Sequence, residues 1–253
     1  MTTSLLNSLL RALLRWGAAL VFCLPLRHRS RFWARACGML FPLLLLAQLL
    51  DPLAQSTTLW QQQLLLLALY ISFFALLGGM IYLCTDINKK GSMYCAVWSL
   101  LIAQCAYEGW CFLELQFARY GHPLNMASPW AVLVQLLSGA VFFAAVYLLL
   151  ARQLPYKGEY HIGPRQLFSA FFIGILFMVQ AAVLDNFRAE QFPRSVIATI
   201  LIGQFYFITL LYFQSELFKK SAMEKEMNAL NLLYERQRQQ YQVARQNVQI
   251  INK

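Results

Sequence analysis

The 253-residue sequence has few charged residues, few histidines and none of the cysteine spacings that hold metals or disulfides. Only 13% of its residues are charged, whereas 59% are hydrophobic, and the mean hydropathy is +0.51. This composition excludes an ordinary soluble domain and is typical of a polytopic membrane protein. The cysteines lack CxxC and Cys/His spacing, so we interpret them as small hydrophobic residues in helix contacts and predict neither a metal site nor a disulfide framework. They are Cys23, Cys37, Cys84, Cys95, Cys105 and Cys111.

Acids and histidines inside the apolar segments are equally scarce. Those segments contain one acid, Glu108, and no histidine. An intramembrane protease needs paired acids, a Ser/His pair or an HExxH motif, so the sequence disfavours an enzyme of that kind and predicts no catalytic residue. The three histidines, His28, His122 and His161, are interpreted as exposed loop residues.

Uninterrupted apolar runs indicate six membrane spans and a disputed seventh. A helix needs about 20 apolar residues to cross a bilayer. Six runs approach that length, at 36–50, 64–84, 93–113, 129–150, 166–184 and 195–214. The first is short and contains Pro42, which favours a tilt or kink. We therefore predict an all-α fold: a polytopic membrane bundle of six or seven spans, with a long C-terminal cytoplasmic coiled-coil helix.

The disputed run, 5–26, carries Arg11 and Arg15 one helical turn apart. It either crosses the membrane with both arginines snorkelling to the outer surface, or lies flat as an interfacial helix. A cleavable signal peptide is a third interpretation. The four arginines within 27–35 disfavour that one, because such a cluster resists translocation.

Charge asymmetry between the loops predicts the orientation. The segments 27–35, 85–92, 151–165 and the tail from 215 hold 16 Lys or Arg, whereas 51–63, 114–128 and 185–194 hold three. The positive-inside rule places the first set, with the C-terminus, in the cytoplasm. The net charge of +10 is thus a topology signal, and we predict no nucleic-acid partner.

Polar side chains within the spans are candidate ligand-binding residues. With the helix entering at Met93, Glu108 lies about 22 Å deep, in the outer leaflet, and Gln104 lies one turn deeper on the same face. Gln135 and Gln180 also reach the outer halves of their spans. One interpretation is a polar cavity open to the outside, in which Glu108 meets a cationic group of a ligand or titrates. The other is that the glutamines bond between helices, and that Glu108 reaches the interface or is protonated.

The chain contains no glycine and no proline from 204 to 253, although its pattern changes there from apolar to charged. One continuous helix is therefore expected to leave the membrane and enter water, with a membrane domain at 1–214 and a signalling helix at 215–253. The residues of one stripe along this helix are spaced by alternating steps of four and three, which indicates a dimeric coiled coil. The alternative is an amphipathic helix packed on the membrane or on another domain. The stripe is Met223, Met227, Leu230, Tyr234, Gln237, Tyr241, Ala244, Val248 and Ile251. Gln237 and Ala244 weaken this dimer seam, and a weak seam favours two nearly equal registers.

The tail also resembles a known linker. The sequence MEKEM at 223–227, then Leu230, Leu233, Tyr241 and Gln242, and the ending NVQIINK at 247–253 resemble the linker before the phosphoacceptor histidine of GHKL-type sensor histidine kinases. The resemblance is nearest to the polytopic peptide-pheromone receptor kinases of Gram-positive bacteria. In that family the phosphoacceptor histidine and an ATP-binding domain follow, and neither is in this sequence, whose tail has no histidine.

The resemblance implies the membrane input module of a two-component sensor kinase, in the bacterial plasma membrane. It would be a homodimer among membrane lipids that detects an extracellular small molecule or peptide. ATP and Mg²⁺ would belong to the missing kinase domain, as would contact with a response regulator, so no cofactor is expected in this chain. The alternative is a small transporter or a membrane adaptor without kinase activity. The sequence shows no internal repeat of the kind that many transporters have.

Overall fold

The computed structural model describes residues 2–54, 59–119, 129–153, 163–187 and 194–251. These residues are almost entirely helical and form no strand, which confirms the predicted all-α class. A short 3₁₀ turn at Ala151–Gln153 follows the fifth helix. The helices are α1 Thr2–Cys23, α2 Phe32–Ala54, α3 Leu59–Cys84, α4 Lys89–Arg119, α5 Pro129–Leu149, α6 Pro164–Phe187 and α7 Arg194–Ile251.

Local chemistry explains where several helices begin. Asn88 caps α4, because its side-chain oxygen accepts the Gly91 N–H at 2.7 Å. Gln166 reaches back to accept the Gly163 N–H at 2.8 Å at the start of α6. Pro129 and Pro164 occupy the first positions of their helices, where a missing N–H has no cost.

Three helices of the described residues are long and apolar enough to cross a membrane, at Leu67–Cys84, Lys89–Glu114 and Pro129–Leu149. They correspond to the predicted runs 64–84, 93–113 and 129–150. Shorter apolar helices lie at Phe32–Gln48 and Pro164–Phe177. The chain is therefore a membrane protein by helix length and composition. The predicted total of six or seven spans stays a prediction.

The N-terminal helix α1 lies inside the bundle. It contacts α2, α3, α4 and α5, and Ala12, Ala18 and Phe22 on it are fully buried. Arg15 is only 9% exposed, and Arg11 is half-buried. Arg15 is therefore covered by protein, whereas both the spanning and the interfacial interpretation of the run 5–26 placed it at a surface. Whether this run crosses the membrane stays a prediction. Counting hydrophobic residues missed the polar partners that the other helices provide.

The chain divides into two compact units, Met1–Ile208 and Thr209–Lys253. The boundary falls inside α7, six residues before the predicted division at 214/215. In the second unit α7 continues as a single helix to Ile251. Within the predicted outer loops, residues 55–58, 120–128 and 188–193 lie outside the described residues; the second of these gaps contains His122, and His161 lies outside the described residues as well.

Candidate functional site in the membrane bundle

Two predicted site residues meet on α4. Gln104 and Glu108 lie one helical turn apart, and the Gln104 Nε2 donates a hydrogen bond to the Glu108 Oε1 at 2.9 Å. Both side chains are buried, at 6% and 4% exposure. The pair is therefore enclosed by protein in this conformation.

Helix α3 adds an aromatic hydroxyl to this pair. The Tyr70 hydroxyl lies 3.5 Å from the Gln104 Oε1, at the outer limit of a hydrogen bond, and Tyr70 is itself buried. Gln104 thus contacts α3 through its oxygen and Glu108 through its nitrogen. This arrangement assigns its amide orientation, because the reversed amide would direct its nitrogen away from the carboxylate.

Helix α1 supplies two guanidinium groups. Arg11 donates to the Tyr107 hydroxyl at 2.5 Å, and its guanidinium carbon lies 4.5 Å from the centre of the Tyr107 ring. Arg15 lies 3.9 Å over the ring of Phe73 on α3. Arginine stacks on aromatic faces because its guanidinium is planar and weakly hydrated, and such contacts strengthen when water is excluded.

These contacts lie between α1, α3 and α4, and we refer to their polar side chains together as the polar cluster. The polar cluster consists of Arg11, Arg15, Tyr70, Gln104, Tyr107 and Glu108. It contains two guanidinium groups and one carboxyl group, held where the dielectric is low and charge is costly to leave alone. Its direct physical effect is to attach the N-terminal helix to the centre of the bundle.

The other two predicted site residues do not join this cluster through any hydrogen bond of the described residues. Gln135 on α5 is buried, and its Oε1 has no hydrogen-bond partner among the described residues. Gln180 on α6 packs its amide against Gly203 on α7, so closely that a Cβ at 203 would displace it. The depth predicted for these residues in the membrane stays a prediction, and depth alone does not show which helices are neighbours.

Small residues set the distance between α1 and α5. A Cβ at Gly139 would lie 3.0 Å from the Leu14 Cδ2, and a Cβ at Gly17 would lie 3.0 Å from the Phe143 Cε2. Both glycines therefore let the two helices approach closely. Gln135 lies one turn before Gly139, so its buried amide sits on the same side of α5 as this contact.

We expect Gly139→Leu to lower the stability of the bundle by about 1–3 kcal/mol, because the added side chain overpacks against Leu14. The measurement is thermal unfolding of the purified chain in detergent. Gly38→Leu is the matched control, since a Cβ there would meet nothing within 4 Å. Equal melting temperatures for the two variants would show that the α1–α5 contact does not depend on Gly139.

Among the described residues, no group of three or more His, Cys, Asp or Glu side chains is arranged to hold a metal ion. Cys23, Cys84, Cys95 and Cys105 are buried free thiols, and Cys37 is exposed. The polar cluster therefore offers hydrogen bonds and charge and not a set of metal ligands. Its one carboxyl group, that of Glu108, accepts a hydrogen bond from the Gln104 amide.

The tail presents its predicted dimer seam to solvent in the single chain. Six of the nine seam residues have a described side chain, and all six are exposed. They are Met223, Met227, Leu230, Tyr234, Gln237 and Tyr241. Helix α7 includes Ala244, Val248 and Ile251, but their side chains lie outside the described residues. Leu232 and Leu233, which adjoin the seam, are exposed as well, as is Leu217, which precedes it.

No family model matches this chain, and comparison with curated proteins and with solved structures gives no match either. The functional argument therefore depends on the chain's own residues.

Proposed function

We propose that this chain is the membrane input module of a two-component sensor kinase. Its bundle would detect an extracellular small molecule or peptide, and the last span would transmit the change to a dimeric cytoplasmic helix. The proposal includes six or seven spans, a C-terminus in the cytoplasm and the bacterial plasma membrane. ATP, Mg²⁺ and a response regulator would belong to the kinase domain that the resemblance implies.

The observation that carries the proposal is the continuity of α7. It runs from Arg194 to Ile251 in 58 residues without a break, across the change from an apolar to a charged pattern. A continuous helix transmits a rotation or a shift along its axis because each turn is hydrogen-bonded to the next. A transporter has no need of such an extension.

The exposed seam supports a dimer. Met227, Leu230 and Tyr234 are each more than 60% exposed, although they recur at coiled-coil spacing over several turns. A row of large apolar side chains in water is unfavourable, and pairing with a second copy would bury it. The polar face of the same helix carries Arg236 and Arg238, which would stay in solvent.

The polar cluster is the best supported input element. The contact between Arg11 and Tyr107 joins α1 to α4, so a ligand that binds better when this contact is changed would shift α1 relative to α4. Gln104 and Glu108 keep their proposed role as ligand-responsive residues. Gln135 and Gln180 stay weaker candidates, because each lies on another helix.

Cysteine crosslinking tests the dimeric helix. In a Cys37→Ser, Cys111→Ser background, we expect Tyr234→Cys to form an intermolecular disulfide in membranes after mild oxidation. Gln239→Cys, an exposed position on the opposite side of α7, is expected to give at most about a tenth of that product, because the off-seam side chains of a coiled coil lie apart. The buried native thiols are shielded from the oxidant.

The same pair tests signalling. Crosslinking of Tyr234→Cys is compared in cells given fresh medium and in cells given conditioned medium from a dense culture. A changed yield supports transmission of a signal along α7. Equal yields at positions 234 and 239 would contradict the coiled coil, and one fixed pattern under every condition would contradict the sensor function.

A further inference from the structure

The turn between α1 and α2 is the most basic part of the described bundle. Arg27 and Arg31 are exposed there, and Arg35 follows in the first turn of α2, where it donates to the Leu83 carbonyl at 2.7 Å. Asp86 lies 3.7 Å from Arg29 and offsets one of these charges. Lys89 and Lys90 are exposed in the adjoining first turn of α4. This surface, which we call the basic turn, consists of residues 24–35 and 85–90 and keeps a large excess of positive charge.

Backbone hydrogen bonds hold the basic turn in one shape. The Arg29 N–H donates to the Cys84 carbonyl at 3.0 Å, and the Asp86 N–H donates to the Arg27 carbonyl at 2.9 Å. His28 and Thr85 form an isolated antiparallel bridge between them. The cations are thus presented by ordered backbone, and a ligand would not have to order the turn on binding.

The turn also has a pocket and a strained residue. A pocket of about 500 Å³ is lined by Pro25, Leu26, Arg27 and His28. Arg31 has a φ of 57°, in the left-handed region that residues other than glycine seldom adopt. Such a conformation has an energetic cost and is found where the surroundings or a function maintain it. Here it lies directly before α2, among the basic side chains.

An apolar stripe begins at this turn and continues along α2. Trp33, Phe41 and Leu45 are all exposed, the first two at 60% and 67%, and Cys37 completes the four-residue spacing. These residues share one face of the helix. Gly38 adjoins the stripe, and a Cβ there would meet nothing within 4 Å, so the surface is open at that point. The cations of the basic turn and the exposed apolar face that begins at its Trp33 match the two parts of an anionic phospholipid, the headgroup and the acyl chain.

We propose that the basic turn binds the phosphate headgroup of an anionic phospholipid, with an acyl chain of that lipid along the stripe Trp33, Cys37, Phe41 and Leu45. The inference rests on the proposed insertion in a membrane, and it adds a lipid site that the signalling proposal does not require. A soluble phosphate would use only the cations and leave the apolar stripe without a role. Basic pockets beside membrane helices are suited to anionic headgroups.

The test measures lipid retention by the full chain in mild detergent, using native mass spectrometry with added phosphatidylglycerol or phosphatidylcholine. We expect the chain to retain phosphatidylglycerol about tenfold better. Arg27→Gln with Arg31→Gln is expected to remove most of this preference, since each basic side chain near an anionic headgroup contributes about fivefold. The control is Arg152→Gln, which alters an exposed arginine in the 3₁₀ turn after α5, and we expect this variant to keep the preference for phosphatidylglycerol.

Several outcomes would overturn the proposal. One is equal retention of both lipids by the unaltered chain; another is an undiminished preference in the double arginine variant. A second pair, Lys89→Gln with Lys90→Gln, leaves Arg31 and its backbone unchanged, and we expect it to weaken the preference partially even if the arginine variant fails to fold. If glycerol phosphate competes as strongly as the lipid does, the site is one for soluble phosphate, and the lipid proposal is wrong.

Flotation separates this inference from the proposed function. The chain is reconstituted with vesicles of phosphatidylcholine alone and with vesicles that also contain phosphatidylglycerol. A chain that floats with neither kind of vesicle contradicts both proposals. A chain that inserts and crosslinks through α7 but shows no lipid preference contradicts the lipid site alone.

Discussion

Replacing Glu108 with leucine is expected to destabilise the membrane bundle by about 1–3 kcal/mol. The change leaves the Gln104 Nε2 without the acceptor that it now has at 2.9 Å. It also removes the only carboxyl group from a polar cluster that contains two guanidinium groups. A buried amide donor that loses its acceptor has the full cost of its desolvation. Thermal unfolding of the purified chain in detergent measures the effect.

Two comparisons make that result specific. Glu108→Gln keeps the shape and an acceptor oxygen, so we expect a smaller loss than with leucine. Gln135→Leu removes a buried oxygen that has no hydrogen-bond partner among the described residues, and it is expected to be neutral or slightly stabilising. If Glu108→Leu melted like the unaltered chain, the cluster would not hold α1 in the bundle. An unchanged response of Glu108→Gln to the native stimulus would remove the carboxylate from the signalling proposal.

The positions of most helices were predictable because long apolar runs leave few alternatives. The predicted run 129–150 nearly coincides with α5, and 166–184 lies within α6. The predictions missed the polar first turns, such as Lys89–Ser92 of α4, which the Asn88 cap makes helical. Hydropathy detects the apolar part of a helix, whereas capping determines where the helix begins.

The polar cluster was only half predictable. Glu108 and Gln104 were found together because they lie on one helix, where a four-residue spacing guarantees contact. Arg11 and Arg15 were placed at the surface, although an acid inside a membrane favours a cationic neighbour. Two sequence features could have indicated a buried position for these arginines: their one-turn spacing and the lack of any other charge within the run 5–26. What the sequence could not show is that α1 packs against α3 and α4.

The glutamines also show that a sequence does not reveal which helices are neighbours. Gln135 and Gln180 were grouped with Glu108 because all three lie at similar depth. The structure instead puts Gln135 on the side of α5 that approaches α1, and it puts Gln180 against Gly203. Depth follows from a residue's distance along its own helix. The neighbours of that residue depend on how all the helices pack, which a single sequence does not encode in any short pattern.

Glu235→Pro is expected to interrupt α7 and to abolish pairing beyond the substitution. Proline removes the N–H that bonds to the Asn231 carbonyl and brings its ring against that oxygen, at a cost of about 3 kcal/mol. The position is exposed and lies off the seam, so no packing contact of the single chain is removed with it. In the crosslinking background described above, we expect disulfide formation at Tyr241→Cys to fall at least fivefold, whereas Met227→Cys, two turns before the proline, keeps most of its yield.

Glu235→Ala separates the helix break from the loss of charge, since alanine keeps the N–H and favours helix. We expect both crosslinks to persist in that variant. If the proline variant crosslinked at position 241 as well as the alanine variant does, the tail would pair without a continuous helix, and α7 could not transmit a movement along its length. If both variants lost the crosslink at 227 too, the dimer would depend on the charge of Glu235 and not on the apolar seam. Only loss beyond the proline, with retention before it, agrees with a helix that pairs through Met227, Tyr234 and Tyr241 and carries its signal turn by turn.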